Sequence, residues 1–101
     1  MTRAEIFAAI TAERARQDEK HPVAFNQLLN ETYLSKQDVE RFAQSYKSVN
    51  EKTELAGTHT AFSLTLEELY EFFSETDKAR QVEEAIQNAA LWVRIIEEIT
   101  K

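Results

Sequence analysis

The chain has 101 residues, of which 43% are hydrophobic and 30% charged, a formal net charge of −6, and no cysteine. This length suits one domain, and the composition is too apolar for a disordered chain. The negative charge argues against a nucleic-acid partner, and the lack of cysteine excludes disulfides, thiolate zinc sites and a thiol nucleophile. No secretory segment or membrane-spanning apolar run is present, so we expect a cytoplasmic protein without a membrane partner.

The first part of the chain predicts a helix. One glycine and one proline leave few positions for the turns of a sheet protein, which favours an all-α fold. Thr2 and Glu5 form a capping box, so the first helix is predicted to begin there. It ends near Asp18–Pro22, because proline disfavours helical geometry in the residue before it. Residues 23–34 are predicted to form a short helix or an ordered connection.

Three further helices follow. Ser35 and Asp38 predict a helix over 35–55, and Gly57 suits the left-handed position after its end. Apolar residues at helical spacing predict a third helix over 63–75 and a fourth from Asp77 to the C-terminus. Four helices with short connections predict a four-helix-bundle-like single domain over residues 1–101.

Two polar pairs lie at helical spacing on the last two helices. Glu68 and Glu71 are three residues apart on the third helix, and Glu84 and Gln87 are three apart on the fourth. Each pair can therefore direct two oxygens to one point. If the two helices face each other, four carboxylate and amide oxygens converge in a set suited to Mg²⁺ or Mn²⁺.

The alternative to a metal site is a solvated acidic face. Thr65 and Glu68 fit a capping box, which gives Glu68 a purely local role. On the fourth helix, however, the line of Glu84 and Gln87 continues into Leu91 and Ile95, which favour burial. Unpaired charge beside a buried interface is costly, so a partner for this polar pair is expected.

Three segments of the chain stand out together: "AITAERARQDEKH" at 9–21, "LEELYEF" at 66–72 and "QVEEAIQNAALWVRIIEEI" at 81–99. They resemble the small MazG-like proteins of the all-α nucleoside triphosphate pyrophosphohydrolase superfamily. The resemblance implies a MazG-type helical domain, completed by oligomerisation, that cleaves a nucleotide to its monophosphate and pyrophosphate. Residues 22–62 carry no motif of this family.

The resemblance also implies the site residues. It places the Mg²⁺ or Mn²⁺ ligands at Glu68, Glu71, Glu84 and Gln87, and a general base or supporting carboxylate at Glu67 or Glu83. The superfamily pattern has Asp where this chain has Gln87, and a neutral amide brings no charge to a metal. Basic residues in or near the family segments are candidate phosphate ligands, with solvated or ion-paired side chains as the alternative: Arg14, Arg16, Lys20 and Arg94.

Further expectations concern aromatic residues, histidines and partners. Tyr70, Phe72 and Trp92 are predicted to be core residues rather than base-stacking ones, and His21 and His59 to be surface residues. The last helix is apolar on nearly all sides, which favours a homodimer or a dimer of dimers. The competing hypothesis is a non-catalytic helical interaction protein, for which Gln87 is the main evidence.

Overall fold

The protein is all-helical. The computed structural model describes residues 1–23, 25 and 29–101. Within these residues there is no strand, and there are four helices: α1 (Arg3–Lys20), α2 (Lys36–Leu55), α3 (Ala61–Ser74) and α4 (Lys78–Ile99). The prediction of an all-α fold is confirmed. None of these helices combines the length and apolarity that a membrane crossing requires.

The chain divides into two compact units that share α4. Unit 1 comprises Met1–Leu29 and Trp92–Lys101, and unit 2 comprises Asn30–Leu91. The predicted short helix or connection over 23–34 lies partly outside the described residues, and its described residues form no helix.

The starts of α1 and α2 are the predicted ones. The Glu5 backbone N–H donates to the Thr2 hydroxyl at 3.2 Å, and the Thr2 backbone N–H donates to the Glu5 carboxylate at 2.8 Å, which completes a capping box. The Asp38 backbone N–H donates to the Ser35 hydroxyl at 3.1 Å. These bonds satisfy N–H groups that have no partner within the first helical turn.

Gly57 ends α2 as predicted, in a left-handed conformation with φ of 70°. Its N–H donates to the Glu54 carbonyl at 3.0 Å, and the Thr58 N–H donates to the Thr53 carbonyl at 2.8 Å. This pair of bonds is the Schellman motif. The short turn that follows brings the chain back along α2.

The start of α3 differs from the prediction. The cap is Thr60, whose hydroxyl accepts from the Ser63 N–H at 3.3 Å, and the helix begins at Ala61 rather than at residue 63. The Thr65 hydroxyl instead donates to the Phe62 carbonyl at 2.8 Å. The proposed Thr65–Glu68 capping box is therefore wrong, because Thr65 and Glu68 are the fifth and eighth residues of a helix that is already capped.

In unit 2, α2 and α3 form an antiparallel hairpin. Tyr70 of α3 stacks on Phe42 and Tyr46 of α2, with ring centroids 5.2 and 5.9 Å apart, while Val39 and Ala43 are buried. Contacts nearer the turn join later residues of α2 to earlier residues of α3, as an antiparallel pair requires. The core role predicted for Tyr70 is confirmed.

The first part of α4 runs antiparallel to α3. The Gln81 side-chain amide donates to the Glu75 backbone carbonyl at 2.8 Å, and the Asn88 side-chain amide donates to the Glu68 backbone carbonyl at 2.9 Å. Residues later in α4 thus meet residues earlier in α3. Phe72 is half-buried and packs edge to face on Phe73 with ring centroids 5.0 Å apart.

In unit 1, α1 runs antiparallel to the end of α4. Arg3 donates to both carboxylate oxygens of Glu97 at 3.2 Å, and Ile6 and Val93 are the buried apolar residues. Ile6 is 1% exposed. The core role predicted for Trp92 is wrong, because its side chain is 56% exposed on α4.

Candidate metal centre

Three carboxylates of α3 come together on one side of that helix. Glu67, Glu68 and Glu71 are half-buried, and one carboxylate oxygen from each lies within 4.8 Å of the others. Helical spacing explains the grouping, since residues three and four apart lie on the same face. Like charges at this separation repel, so the grouping needs compensation from protons or from a cation.

The opposing helix adds Glu84 to this group. The Asn88 side-chain amide donates to two backbone carbonyls, that of Glu68 at 2.9 Å and that of Glu84 at 2.8 Å. It thereby fastens α4 to α3 one turn away from Glu84. Interactions with neighbouring carboxyls, among them those between Glu71 and Glu84, shift the pKa values of both Glu71 and Glu84. The structure thus brings together acidic residues from both sequence motifs.

Gln87 completes the group. With its amide nitrogen turned toward α3, Gln87 donates to the Glu68 carboxylate at 3.1 Å and to the Glu84 carboxylate at 3.3 Å. A half-turn of the same amide presents its oxygen instead. One orientation therefore satisfies two carboxylates by hydrogen bonding, and the other adds a neutral oxygen ligand.

The electrostatics of the group favour bound protons. Burial, the contact with the Glu67 carboxyl and the charges of neighbouring carboxylates together raise the pKa of Glu71 from 4.5 to about 8, with burial the largest cause. Burial, followed by the charges of Glu67 and Glu84, also raises the pKa of Glu68. Burial and the Glu75 charge raise the pKa of Glu84. A cation at this position would replace the protons and offset the repulsion.

The donor set fits a hard divalent cation. Carboxylate and amide oxygens are ligands that Mg²⁺ and Mn²⁺ prefer, whereas the described residues around the group supply no sulfur or imidazole nitrogen. Glu68, Glu71 and Glu84 would hold the ion, and Gln87 has its amide within reach of two of them. The identity of these residues as metal ligands remains a prediction.

The two candidate bases occupy different environments. Glu67 is half-buried in the acidic group, and its Oε1 accepts from the Asn50 amide at 2.8 Å. Glu83 is exposed on α4, and its negative charge is one of the causes that raise the pKa of Glu84. The geometry therefore favours Glu67 for a role at the centre of the group.

The candidate phosphate ligands all lie in unit 1. Arg14 donates to Asp18 at 2.8 Å and Arg16 donates to Glu13 at 2.8 Å, so both are paired along α1. Lys20 is exposed near the end of α1 and Arg94 is exposed on α4. Phosphate binding by these residues remains a prediction. His21 and His59 are exposed, as expected for surface residues.

Sequence reasoning missed two asparagines that position the group. Asn50 lies four residues after Tyr46 and seven after Ala43, so it is a polar residue on the apolar stripe of α2. Such an interruption was the available signal for a buried hydrogen-bonding role. Asn88 lies one turn after Glu84, and its contact with α3 has no comparable signal in the sequence.

Comparison of the chain with protein-family models, curated proteins and solved structures finds no match. The MazG-like resemblance therefore remains a prediction that rests on the three segments in which it was observed.

Proposed function

We propose that this chain is a Mg²⁺- or Mn²⁺-dependent nucleoside triphosphate pyrophosphohydrolase of the MazG-like type, which cleaves an NTP or dNTP to the monophosphate and pyrophosphate. The observation that carries the proposal is the approach of α4 to the carboxylates of α3, where the Gln87 amide lies within hydrogen-bond distance of both Glu68 and Glu84. Residues that are far apart in sequence supply oxygen ligands to one location.

Each polar residue of the group has a role in this proposal. Glu68, Glu71 and Glu84 hold the cation, and Gln87 contributes its amide oxygen after the amide turns. The bound cation supplies neutralisation of the charge on the phosphate oxygens. Glu67 orients a water molecule and accepts its proton, because its carboxylate lies in the group without being needed to join α3 to α4.

The net charge of the protein is consistent with a bound cation that attracts the triphosphate. A chain of charge −6 repels a triphosphate, and a cation held by carboxylates reverses the local sign.

A second copy of the chain is the proposed protein partner. Within unit 2, the face of α4 that contains Val82 and Ile86 is apolar, yet these side chains are 59% and 62% exposed. A homodimer or a dimer of dimers would cover this face. Sedimentation should show a dimer or tetramer for the wild type and a smaller species for Ile86→Glu. A monomeric wild type would contradict this part of the proposal.

The activity is tested by pyrophosphate release from purified protein with a panel of canonical and modified nucleoside triphosphates. Mg²⁺ and Mn²⁺ are tested separately. The wild type should release pyrophosphate, and Glu68→Gln combined with Glu84→Gln should abolish release. Glu40→Gln is the matched control, because it removes an exposed carboxylate of α2 outside the group and should retain activity. Folded wild-type protein that releases no pyrophosphate with either ion would refute the proposal.

A second candidate function is a non-catalytic helical interaction protein. The favouring observation is Gln87, whose amide nitrogen can satisfy Glu68 and Glu84 without any cation. Thermal unfolding distinguishes the candidates, because an ion that binds only the folded state raises the melting temperature. Millimolar Mg²⁺ or Mn²⁺ should raise the melting temperature of the wild type but not that of Glu68→Gln. Equal melting temperatures with and without the ions would favour the interaction protein.

A further inference from the structure

Asn50 is a buried polar residue whose side chain is fully engaged in hydrogen bonds. It belongs to α2 and is 6% exposed. Its amide nitrogen donates to the Ser63 backbone carbonyl at 3.1 Å and to Oε1 of Glu67 at 2.8 Å. Its amide oxygen accepts from the Ser63 hydroxyl at 2.7 Å. Three bonds therefore join one side chain of α2 to α3.

These bonds allow one orientation of the amide. The Ser63 hydroxyl is itself buried, with Ser63 8% exposed, and it donates to the amide oxygen. The amide nitrogen must then point toward the Ser63 carbonyl and Glu67. Reversing the amide would place its oxygen against two other acceptors, which is costly where water cannot compensate.

The contact determines the direction of one carboxylate in the acidic group. Oε1 of Glu67 is held by Asn50, and the Glu67 carboxylate has an oxygen within 4.8 Å of carboxylate oxygens of Glu68 and Glu71. A glutamate side chain has several rotatable bonds, so a buried donor of set orientation removes conformations that point elsewhere. Glu83 has no corresponding anchor among the bonds of the described residues, and it is exposed.

We propose that Asn50 is a positioning residue, which holds Glu67 in the orientation required for contact with the attacking water and keeps its negative charge beside the bound cation. This inference rests on the proposed function. It assigns the working role to Glu67 rather than Glu83, and it gives α2 a part in a site whose sequence motifs lie on α3 and α4. Hydrogen-bond partners of this kind affect metal affinity and activity about 10- to 100-fold in other metal sites.

Mn²⁺ affinity, measured by calorimetry on the full chain, tests the inference. Asn50→Leu keeps the branching of the side chain and removes its donors, and it should weaken Mn²⁺ binding about tenfold. Glu67→Gln should also weaken binding. Because Asn50 acts through Glu67, the variant with both substitutions should bind as Glu67→Gln does. The inference would be overturned if the fold-changes of the two single variants multiplied in the double variant. It would also be overturned if Asn50→Leu bound Mn²⁺ as tightly as the wild type does.

Asn30→Ala is the matched control for a purely structural effect. Asn30 is another asparagine of unit 2, and its amide donates to the Glu75 backbone carbonyl at 2.6 Å rather than to a carboxylate. This variant should lose stability and keep its Mn²⁺ affinity. If Asn50→Leu does not fold, Ser63→Ala replaces it: loss of the orienting hydroxyl should weaken Mn²⁺ binding about threefold, as expected for one hydrogen bond. Unchanged affinity in Ser63→Ala would then overturn the inference.

The same data separate this inference from the proposed function. Mn²⁺ binding with the expected non-additivity, but without pyrophosphate release, would refute the enzyme and support the positioning role. Failure of the wild type to bind Mn²⁺ would overturn the metal site and the positioning role together. Pyrophosphate release with additive effects of Asn50→Leu and Glu67→Gln would support the enzyme and overturn the role of Asn50.

Discussion

Replacing Glu71 by glutamine should make protein without added metal less sensitive to alkaline pH. Burial and neighbouring carboxylates raise the pKa of Glu71 from 4.5 to about 8. A carboxyl whose pKa is higher in the folded than in the unfolded state contributes stability that is complete below pH 4.5. That stability is lost as the pH rises toward 8. Glutamine resembles the protonated form and has no proton to lose.

The expected effect follows from the pKa change. A rise from 4.5 to about 8 corresponds to about 5 kcal/mol of unfolding free energy if the full change applies. Glu71 is only half-buried, and solvent screens its interactions with neighbouring charges. We therefore expect a contribution of about 1–2 kcal/mol.

Urea unfolding at pH 5 and pH 9, with a chelator present, measures this contribution. The wild type should lose about 1–2 kcal/mol more unfolding free energy between these pH values than Glu71→Gln does. Millimolar Mg²⁺ at pH 9 should restore much of the loss in the wild type and little in the variant. Glu40→Gln is the control, because its exposed carboxylate on α2 lies outside the group and should leave the pH dependence unchanged. Equal pH dependence of the wild type and Glu71→Gln would refute the electrostatic reasoning.

Three predictions concern the scaffold, each measured by urea unfolding. Gly57→Ala should cost about 1 kcal/mol of unfolding free energy, because an alanine disfavours the left-handed backbone at φ of 70°. The added Cβ itself would meet no atom within 4 Å. Gly57→Asn should cost less, because asparagine tolerates this conformation better. Ile6→Ala should cost about 2–4 kcal/mol as a cavity in a buried position, whereas a cost below about 1 kcal/mol would contradict its core role. Ser35→Ala should cost about 1 kcal/mol through loss of the α2 cap, and no loss would mean that another group satisfies the Asp38 N–H.

Local sequence signals predicted the helices well because the physics involved is local. Thr2 and Ser35 cap the following turns through bonds that span three residues, and Gly57 supplies a conformation that other residues disfavour. The start of α3 was harder to predict, since Thr60 and Thr65 are both residues that can cap a helix. The structure selects Thr60, because Ser63 then joins α3 to Asn50 of α2.

The acidic group was predictable in part from spacing. The separation of Glu68 from Glu71, and of Glu84 from Gln87, indicates which side chains share a helical face. Whether the two faces meet depends on tertiary contacts, which spacing alone does not determine. Asn88 provides that information in the structure by bonding backbone carbonyls on both helices.

Exposure was the least predictable property. Trp92 follows the helical pattern of a core residue, yet its side chain is 56% exposed. The apolar pattern of α4 covers more of its circumference than the neighbouring helices bury. Periodicity identifies residues that favour burial, but it does not say whether another part of the chain or a second copy buries them.

The most direct test of the cation site is the effect of paramagnetic Mn²⁺ on the amide signals in a ¹H–¹⁵N spectrum of the wild type. At a small fraction of one equivalent, Mn²⁺ should broaden the signals of residues 67–71 and 84–88 first, because the proposed ligands lie on these two segments. The combination of Glu68→Gln and Glu84→Gln should remove this selective broadening. Uniform broadening, or selective broadening elsewhere in the chain, would contradict a cation site formed where α3 and α4 meet.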